Sequence, residues 1–449
     1  MEKTNQPNDI VLLFDSFSQG SSDLYESFKN AGYDIPAVCL SDDGFLPEGV
    51  VNVYEYFLGD FNSEKYKGSP LYFNQISIPD YWEIRGNNST ASVYDKSRER
   101  ARIFFEKPSS KRLVKVVDWI DEAGRVRCSE HYNKYGAMYA RTIFNKKSQK
   151  VNKSYFDADG REVIVENFVT GDIILNRDEK VEFYSNKTEF VAAFMEKMGY
   201  ANKRIFFNSL SIPFFVSNYL APNKTKSDIL FWQENTKDEI PGNMQMILDG
   251  RAGRCDRVIV QNKDSYEKLI ALKANPNKLS QLGFIYSFTK ENLNRPSALI
   301  CTNTENVEKL AELVEAMPGV TFHVAAITEM SAKLMSHERY DNVRMYPNVK
   351  SNQLDRLFLN CDFYLDINHE GEIVSATRRA FLANMLILGF KETAHGKNFT
   401  NPKNLFKTEN FGQIADKILT LLEDRKKLQK ELISQQKYAL SAKVSDYSL

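Results

Sequence analysis

The segment Ile367-Asn368-His369-Glu370-Gly371-Glu372-Ile373-Val374-Ser375-Ala376-Thr377-Arg378-Arg379 comes nearest to a catalytic spacing in this chain. Two acids with seven residues between them, one after a strand and one at a helix start, can serve a nucleotide-linked sugar. The first carboxylate stands beside the transferred sugar, and the second accepts hydrogen bonds from the ribose hydroxyls. Glu370 fits the first position. The second falls on Arg378, which reverses the charge and has no acceptor to offer a diol. Glu372 with Arg379 repeats the frame one residue short. A donor diphosphate also needs cations, yet the loop that should supply them, Cys301-Thr302-Asn303-Thr304-Glu305-Asn306, has none, and Glu305 would repel it. Helix N-terminal amides can still attract an anion, and another loop could bring the missing charges. Glu370, Glu372, Arg378, Thr302 and Glu305 thus read as a degenerate donor pocket.

Other chemistries fit less well. His131, His323, His337, His369 and His395 have no metal-ligand spacing among themselves or with cysteine, and no nucleophile-elbow or Walker-type loop occurs. No catalytic residue, cofactor or metal is expected. The Gly20-Ser21-Ser22 turn resembles a phosphate-cradling loop only weakly and reads as a helix entry. Cys39, Cys128, Cys255, Cys301 and Cys361 are far apart, which fits a reducing compartment. Lys plus Arg and Asp plus Glu both number 59, so no global positive field exists to gather nucleic acid. The Arg425-Lys426-Lys427 run reads as a solvated helix face. No apolar run approaches the roughly 20 residues that span a bilayer. A soluble cytoplasmic protein is expected, with peripheral attachment at the inner face of the cell membrane through partners left open.

The elements that must position the pocket alternate strand and helix. With 449 residues and 42% apolar content, two or three domains are expected. In the last third, strands at 298–302, 320–326, 343–346, 363–366 and 386–390 alternate with helical patterns at 305–316, 328–336, 353–359 and 375–384, the signature of a parallel sheet. Ile414, Ile418, Leu421, Leu428 and Leu432 predict one final helix packing back on the molecule. Near the N-terminus, strands at 10–14 and 35–40 flank a helix at 23–30 that stops at Gly32. From 93 to 176 alternating segments joined by Asp121 to Gly124, Asn133 to Gly136 and Asp157 to Gly160 predict an antiparallel meander. The α/β pattern resumes with Ser185 as N-cap, a helix to Met198, Gly199 as its stop, and strands at 204–207, 229–232 and 258–260. The expected architecture is an α/β, GT-B-like pair of Rossmann domains facing a cleft, with an antiparallel β-meander inserted in the first. Its divisions are 1–76, 77–184, 185–290, 291–410 and a C-terminal helical segment at 411–449.

Val11-Leu12-Leu13-Phe14-Asp15, Gly44-Phe45-Leu46-Pro47, Tyr56-Phe57-Leu58-Gly59-Asp60, His131-Tyr132-Asn133, Tyr139-Ala140-Arg141-Thr142, Tyr155-Phe156-Asp157, Thr170-Gly171-Asp172 and Phe231-Trp232-Gln233-Glu234 run along nearly the whole chain. In them it resembles the stabilising subunit, of GtfB type, of the accessory Sec system protein O-glycosyltransferase. The resemblance implies a non-catalytic chaperone or co-activator in a hetero-oligomer with a catalytic subunit of GtfA type. That partner attaches N-acetylglucosamine from UDP-GlcNAc to Ser and Thr of serine-rich repeat adhesins before export, while this chain holds the acceptor polypeptide. A disordered acceptor needs an extended groove. Trp232 could stack on it, with Gln233 and Glu234 bonding its backbone amides; a core Trp at a strand end fits as well. His131, Tyr132, Tyr139 and Arg141 lie on the meander, whose free edge could pair with the partner or the peptide, although a role within the sheet suits each of them. The meander is expected to join the subunits and the cleft to hold acceptor. The alternatives are an active retaining UDP-sugar transferase using Glu370 and a lectin-like binder of glycosylated protein.

Overall fold

The computed structural model describes residues 9–41, 43–59, 68–221 and 228–449; Asp60 of the Tyr56-to-Asp60 string lies outside them. The chain divides into two compact units, Met1–Gln281 and Leu282–Leu449.

The first unit is built on continuous apolar runs. β1 (Ile10–Phe14) is buried on both faces, as a central parallel strand must be. α1 (Gln19–Asn30) starts at Ser18, whose hydroxyl caps Ser21 N–H, and stops at Gly32, where φ is +88°. β2 (Ala37–Cys39), β3 (Val50–Asn52) and α2 (Val53–Leu58) follow. After the insertion come α3 (Lys187–Lys197), β14 (Arg204–Phe207), α4 (Ile212–Tyr219), β15 (Asp228–Trp232), α5 (Gly242–Leu248), β16 (Cys255–Val260), α6 (Lys263–Ala271) and β17 (Leu279–Gln281). These strands form one parallel sheet in the order β17-β16-β15-β14-β1-β2-β3, so the chain leaves the sheet after β3 and returns at β14. The cap of α3 is Asn186, which accepts from Glu189 N–H, and not Ser185, whose own N–H is held by the Glu189 carboxylate.

The insertion is a ten-stranded antiparallel sheet in sequence order: β4 (Glu83–Gly86), β5 (Thr90–Asp95), β6 (Arg98–Phe105), β7 (Val114–Ile120), β8 (Val126–Tyr132), β9 (Met138–Phe144), β10 (Lys150–Phe156), β11 (Glu162–Asn167), β12 (Ile173–Arg177) and β13 (Lys180–Tyr184). One turn device repeats. Asp121, Asn133, Asn145 and Asp157 each accept the N–H groups two and four residues on, and Gly124, Gly136 and Gly160 supply the positive φ. The sheet shares a core with the parallel domain: Ala140, Tyr155, Ile164 and Leu175 pack with Tyr54, Phe57 and Phe190, and Tyr54 stacks on Tyr155 at 4.3 Å.

The second unit holds β18 (Ser297–Cys301), α7 (Leu310–Ala316), β19 (Thr321–Ala325), α8 (Ala332–Met335), β20 (Val343–Tyr346), α9 (Ser351–Asn360), β21 (Phe363–Asp366), α10 (Ala376–Leu382), β22 (Leu386–Phe390) and β23 (Leu405–Phe406). Its parallel sheet runs β20-β19-β18-β21-β22-β23. The last helix is two, α11 (Gly412–Glu423) and α12 (Arg425–Tyr438), because Asp424 breaks the first and caps the second. Their apolar stripe, Ile414 to Leu432, joins the core of this unit. α7 starts five residues later than the sequence pattern suggests: Lys309 takes a left-handed φ of +55°, and Val307 and Glu308 pair instead with Asn368 and Ile367. Among the described residues no helix is long and apolar enough to cross a membrane.

Candidate functional site

In the second unit, β18 and β21 are parallel neighbours, so the loops leaving their carboxyl ends meet. Thr302 is buried, and its hydroxyl accepts from Thr304 N–H at 3.1 Å and donates to the Thr304 carbonyl at 2.9 Å. Thr304 Oγ1 donates in turn to Glu370, and His369 Nε2 meets Glu308 at 2.6 Å. Glu370, at φ +68°, is exposed. Glu372 accepts Thr377 N–H at 2.7 Å and also the Thr377 hydroxyl, so it caps the first turn of α10. Glu305 lies 3.7 Å from Lys333. Arg378 is half-buried in α10, while Arg379 bonds Asp355 at 2.6 Å and lies over the Phe358 ring. The five predicted residues therefore gather at one sheet end, with Thr302 turned into its own loop and Glu372 into its own helix.

The sequence pattern did not single out His395. Its Nδ1 lies 2.7 Å from Asp366 and its Nε2 donates to the Glu370 carbonyl, tying the loop after β22 to the loop after β21. Next to it, a Cβ on Gly396 would overlap the Thr377 hydroxyl, so this loop presses on the start of α10. The bond from Asp366 raises the His395 pKa to about 9, against the cost of burial. A raised folded pKa gives stability that is complete below 6.5 and lost as pH climbs through about 9. His395→Gln should remove on the order of 2 kcal/mol of that pH-dependent stability. Melts from pH 6 to 9.5 check it: the wild type should lose more than the variant, and parallel curves would contradict the protonated latch.

In the first unit, a cavity of about 270 Å³ opens at the carboxyl ends of β1, β14 and β15, lined by Asp15, Ser18, Asn208, Ser209, Gln233 and Glu234 among others. Gln233 Nε2 donates to the Gly20 carbonyl at 2.9 Å and to Gln261 at 2.8 Å, and its Oε1 accepts from Asn208 at 3.3 Å. Gln233 and Glu234 thus lie together on the cavity wall. Trp232 does not join them: it is 4% exposed and its indole donates to Thr236 at 3.2 Å. It occupies the core position that the sequence left open. Asp15 and Asn208 were missed, although each directly follows a buried parallel strand, a positional signal that sequence alone carries.

On the meander, Tyr139 is buried at 2% exposure, while His131, Tyr132 and Arg141 are half-buried. His131 Nε2 meets Thr142 at 3.0 Å, and Glu130 accepts from both Tyr132 and Arg141. Burial and then the Glu130 charge push the Tyr132 phenol well above its ordinary range. The three polar groups are held within the sheet. Among the described residues no His, Cys, Asp and Glu cluster could hold a metal ion.

Four family models match in chain order: the GtfB N-terminal domain at residues 11–57, the GtfB middle domain at 82–185, the GtfB third domain at 187–272 and the GftB/GlyA-F C-terminal domain at 298–435. The UDP-N-acetylglucosamine–peptide N-acetylglucosaminyltransferase stabilizing protein GtfB of Streptococcus agalactiae is 45% identical over 399 residues, 88% of this chain and 89% of that protein. Its Streptococcus gordonii namesake is 40% identical over 441 residues, 98% of this chain and 97% of that one. A chain in a crystal structure of a GtfA/B complex bound to UDP and GlcNAc superposes with a TM-score of 0.91 at 40% identity, over 97% of this chain and 98% of that chain. The pneumococcal O-GlcNAc transferase GtfA, at TM-score 0.52 and 13% identity over 98% of this chain and 97% of that chain, shares the fold alone.

Proposed function

The chain belongs to the GtfB family of N-acetylglucosaminyltransferase stabilizing proteins, and from that premise we propose that it stabilises a catalytic subunit of GtfA type and holds the polypeptide which that subunit glycosylates. The acceptor class is the serine-rich repeat of an adhesin bound for accessory Sec export. The setting is the cytoplasm, with any attachment to the inner membrane face supplied by partners.

The observation that carries the non-catalytic half is the charge and bonding of the donor-side loops. Residues 302–309 and 367–375 hold four carboxylates, Glu305, Glu308, Glu370 and Glu372, against one lysine, Lys309, and one histidine, His369. Lys309 is bonded to Glu312. The first amide of α10 that could meet a phosphate is taken by Glu372. A diphosphate entering here would meet two loops of net negative charge whose one lysine is already engaged. The acceptor half is supported by the polar cavity carrying Gln233 and Glu234. For the partner contact, the outer strand β13 pairs only with β12 among the described residues, and its Val181 and Phe183 are 56% and 74% exposed.

Calorimetry on the purified chain with UDP-GlcNAc and, separately, with a serine-rich peptide tests the reading. Peptide binding without nucleotide-sugar binding is expected. Tight UDP-GlcNAc binding with hydrolysis by this chain alone would sink it in favour of a transferase using Glu370. Arg378→Glu restores the ribose-facing acid yet leaves the loops anionic, so no transfer activity should appear. Measurable sugar transfer by that single variant would overturn the donor-site reading.

A further inference from the structure

The cavity in the first unit carries a charge pattern that bears on which polypeptide can enter it. Every side chain in its lining is polar, two are carboxylates, Asp15 and Glu234, and none is cationic. Neither carboxylate has a cationic partner among the described residues. The cavity lies at the start of α1, where backbone amides would ordinarily favour an anion. Here Ser18 already accepts Ser21 N–H, and the Ser21 hydroxyl donates to the Ser16 carbonyl at 2.7 Å.

A row of amides runs from the wall inward. Asn208, Gln233 and Gln261 each directly follow one of three adjacent parallel strands, β14, β15 and β16. Asn208 donates to Gln233, and Gln233 donates to Gln261. Gln261 is 6% exposed, and its Nε2 has no acceptor among the described residues. Asn208 and Gln233 spend their amide groups on these bonds and on Asp15 N–H, Ser21 Oγ and the Gly20 carbonyl, so they set the wall and leave recognition to its carboxylates and hydroxyls. The Asp15 and Glu234 carboxylates and the serine hydroxyls of the lining match peptide N–H groups and neutral hydroxyls, and the carboxylates oppose an added anion.

We propose that this cavity is a charge filter that takes the amide and hydroxyl groups of an uncharged Ser- or Thr-bearing segment and rejects the same segment once a phosphate sits on its hydroxyl. The inference rests on the acceptor-holding reading and adds to it that phosphorylation of the acceptor blocks capture. Half-buried Asp15 and exposed Glu234 both line the cavity, so a phosphate dianion entering it would meet two like charges at close range.

The test measures fluorescence anisotropy of the full chain with a labelled serine-rich peptide free of acidic residues, and with the same peptide carrying one central phosphoserine. The phosphorylated peptide should bind at least about tenfold more weakly. In Asp15→Asn/Glu234→Gln that ratio should fall below about threefold. The ratio is taken within each protein, so a general loss of affinity cancels. Glu234 is exposed, so Glu234→Gln alone keeps the fold and should lose part of the discrimination. Equal affinities for the two peptides in the wild type would overturn the filter and leave the acceptor reading standing. Discrimination undiminished in the double variant would overturn the assignment to this cavity. No binding of the unmodified peptide would overturn the acceptor reading and the filter with it.

Discussion

Arg254→Leu should destabilise the first unit by about 3–5 kcal/mol, the usual cost of removing one partner from a buried ion pair. Arg254 and Asp228 are 1% and 0% exposed at their side chains, with Nε to Oδ2 at 3.0 Å. The guanidinium also donates to the Ala201 carbonyl at 2.6 Å and to that of Lys203, while Asp228 accepts from Ile205 N–H at 2.8 Å and Ser217 Oγ at 2.7 Å. One substitution therefore strips a buried acid of its counter-charge and takes this donor from three carbonyls, those of Ala201, Lys203 and Ala221. Burial already drives the Asp228 pKa upward against the pull of Arg254, so removing the arginine should drive it further the same way. A raised folded pKa gives stability that is lost as pH rises, and the variant should recover part of its loss when melted at pH 5 in place of pH 8. Asp228→Asn in the Arg254→Leu background should recover part as well, because the neutral amide needs no counter-charge. The expected fall in melting temperature is on the order of 10 °C; a change of a degree or two would show the pair to be dispensable.

The second unit repeats this arrangement at the same end of its sheet. Asp362, just before β21, accepts from Arg295 at 2.8 Å and from Lys290. Burial alone would raise the Asp362 pKa, but these bonds outweigh it and hold it below the ordinary range. Both acids stand at the amino ends of parallel strands, opposite the carboxyl ends where the two candidate sites lie. Each unit thus separates the end that holds it together from the end that presents polar groups.

Local chemistry made the meander legible. Asp121, Asn133 and Asp157 set their turns through bonds two and four residues away, and those distances are visible in the sequence. The parallel strands were legible for a similar reason, since runs such as Ile10–Phe14 have no exposed face to conceal. The loop at 302–309 was not legible, because its path follows Ile367 and Asn368, some sixty residues on. Val307 and Glu308 pair there, and a stretch that resembles a helix start stays extended. The break at Asp424 was hidden because the spacing from Leu421 to Leu428 suits one long helix as well as two. At the candidate site of the second unit, the positive charge at Arg378 was visible in the sequence. That Glu372 caps its own helix and His395 latches the loop required contacts between segments. At the cavity of the first unit, Gln233 and Glu234 were found through a neighbour, Trp232, that turns the other way.

Trp232→Ala separates those two roles. The indole lies in the core shared by the parallel sheet and the meander, 4% exposed, with its N–H on Thr236. Thr236 N–H is in turn held by Ser265 at 2.9 Å, so the bond also fixes the turn after Glu234. Truncation leaves a cavity and an unmet hydroxyl and should cost about 3–5 kcal/mol. Trp232→Phe keeps most of the packing and should recover most of the loss, falling short by about 1 kcal/mol for the missing hydrogen bond. Peptide affinity should follow the fold: nearly normal in Trp232→Phe, and reduced in Trp232→Ala in step with the loss of melting temperature, because the turn carrying Gln233 and Glu234 loosens. A Trp232→Ala protein that melts like the wild type yet no longer binds peptide would mean that the indole touches the acceptor. The recognition surface would then extend from the polar cavity to the end of β15, and an aromatic contact would have to stand beside the carboxylates and hydroxyls of the cavity in any account of how the segment is held.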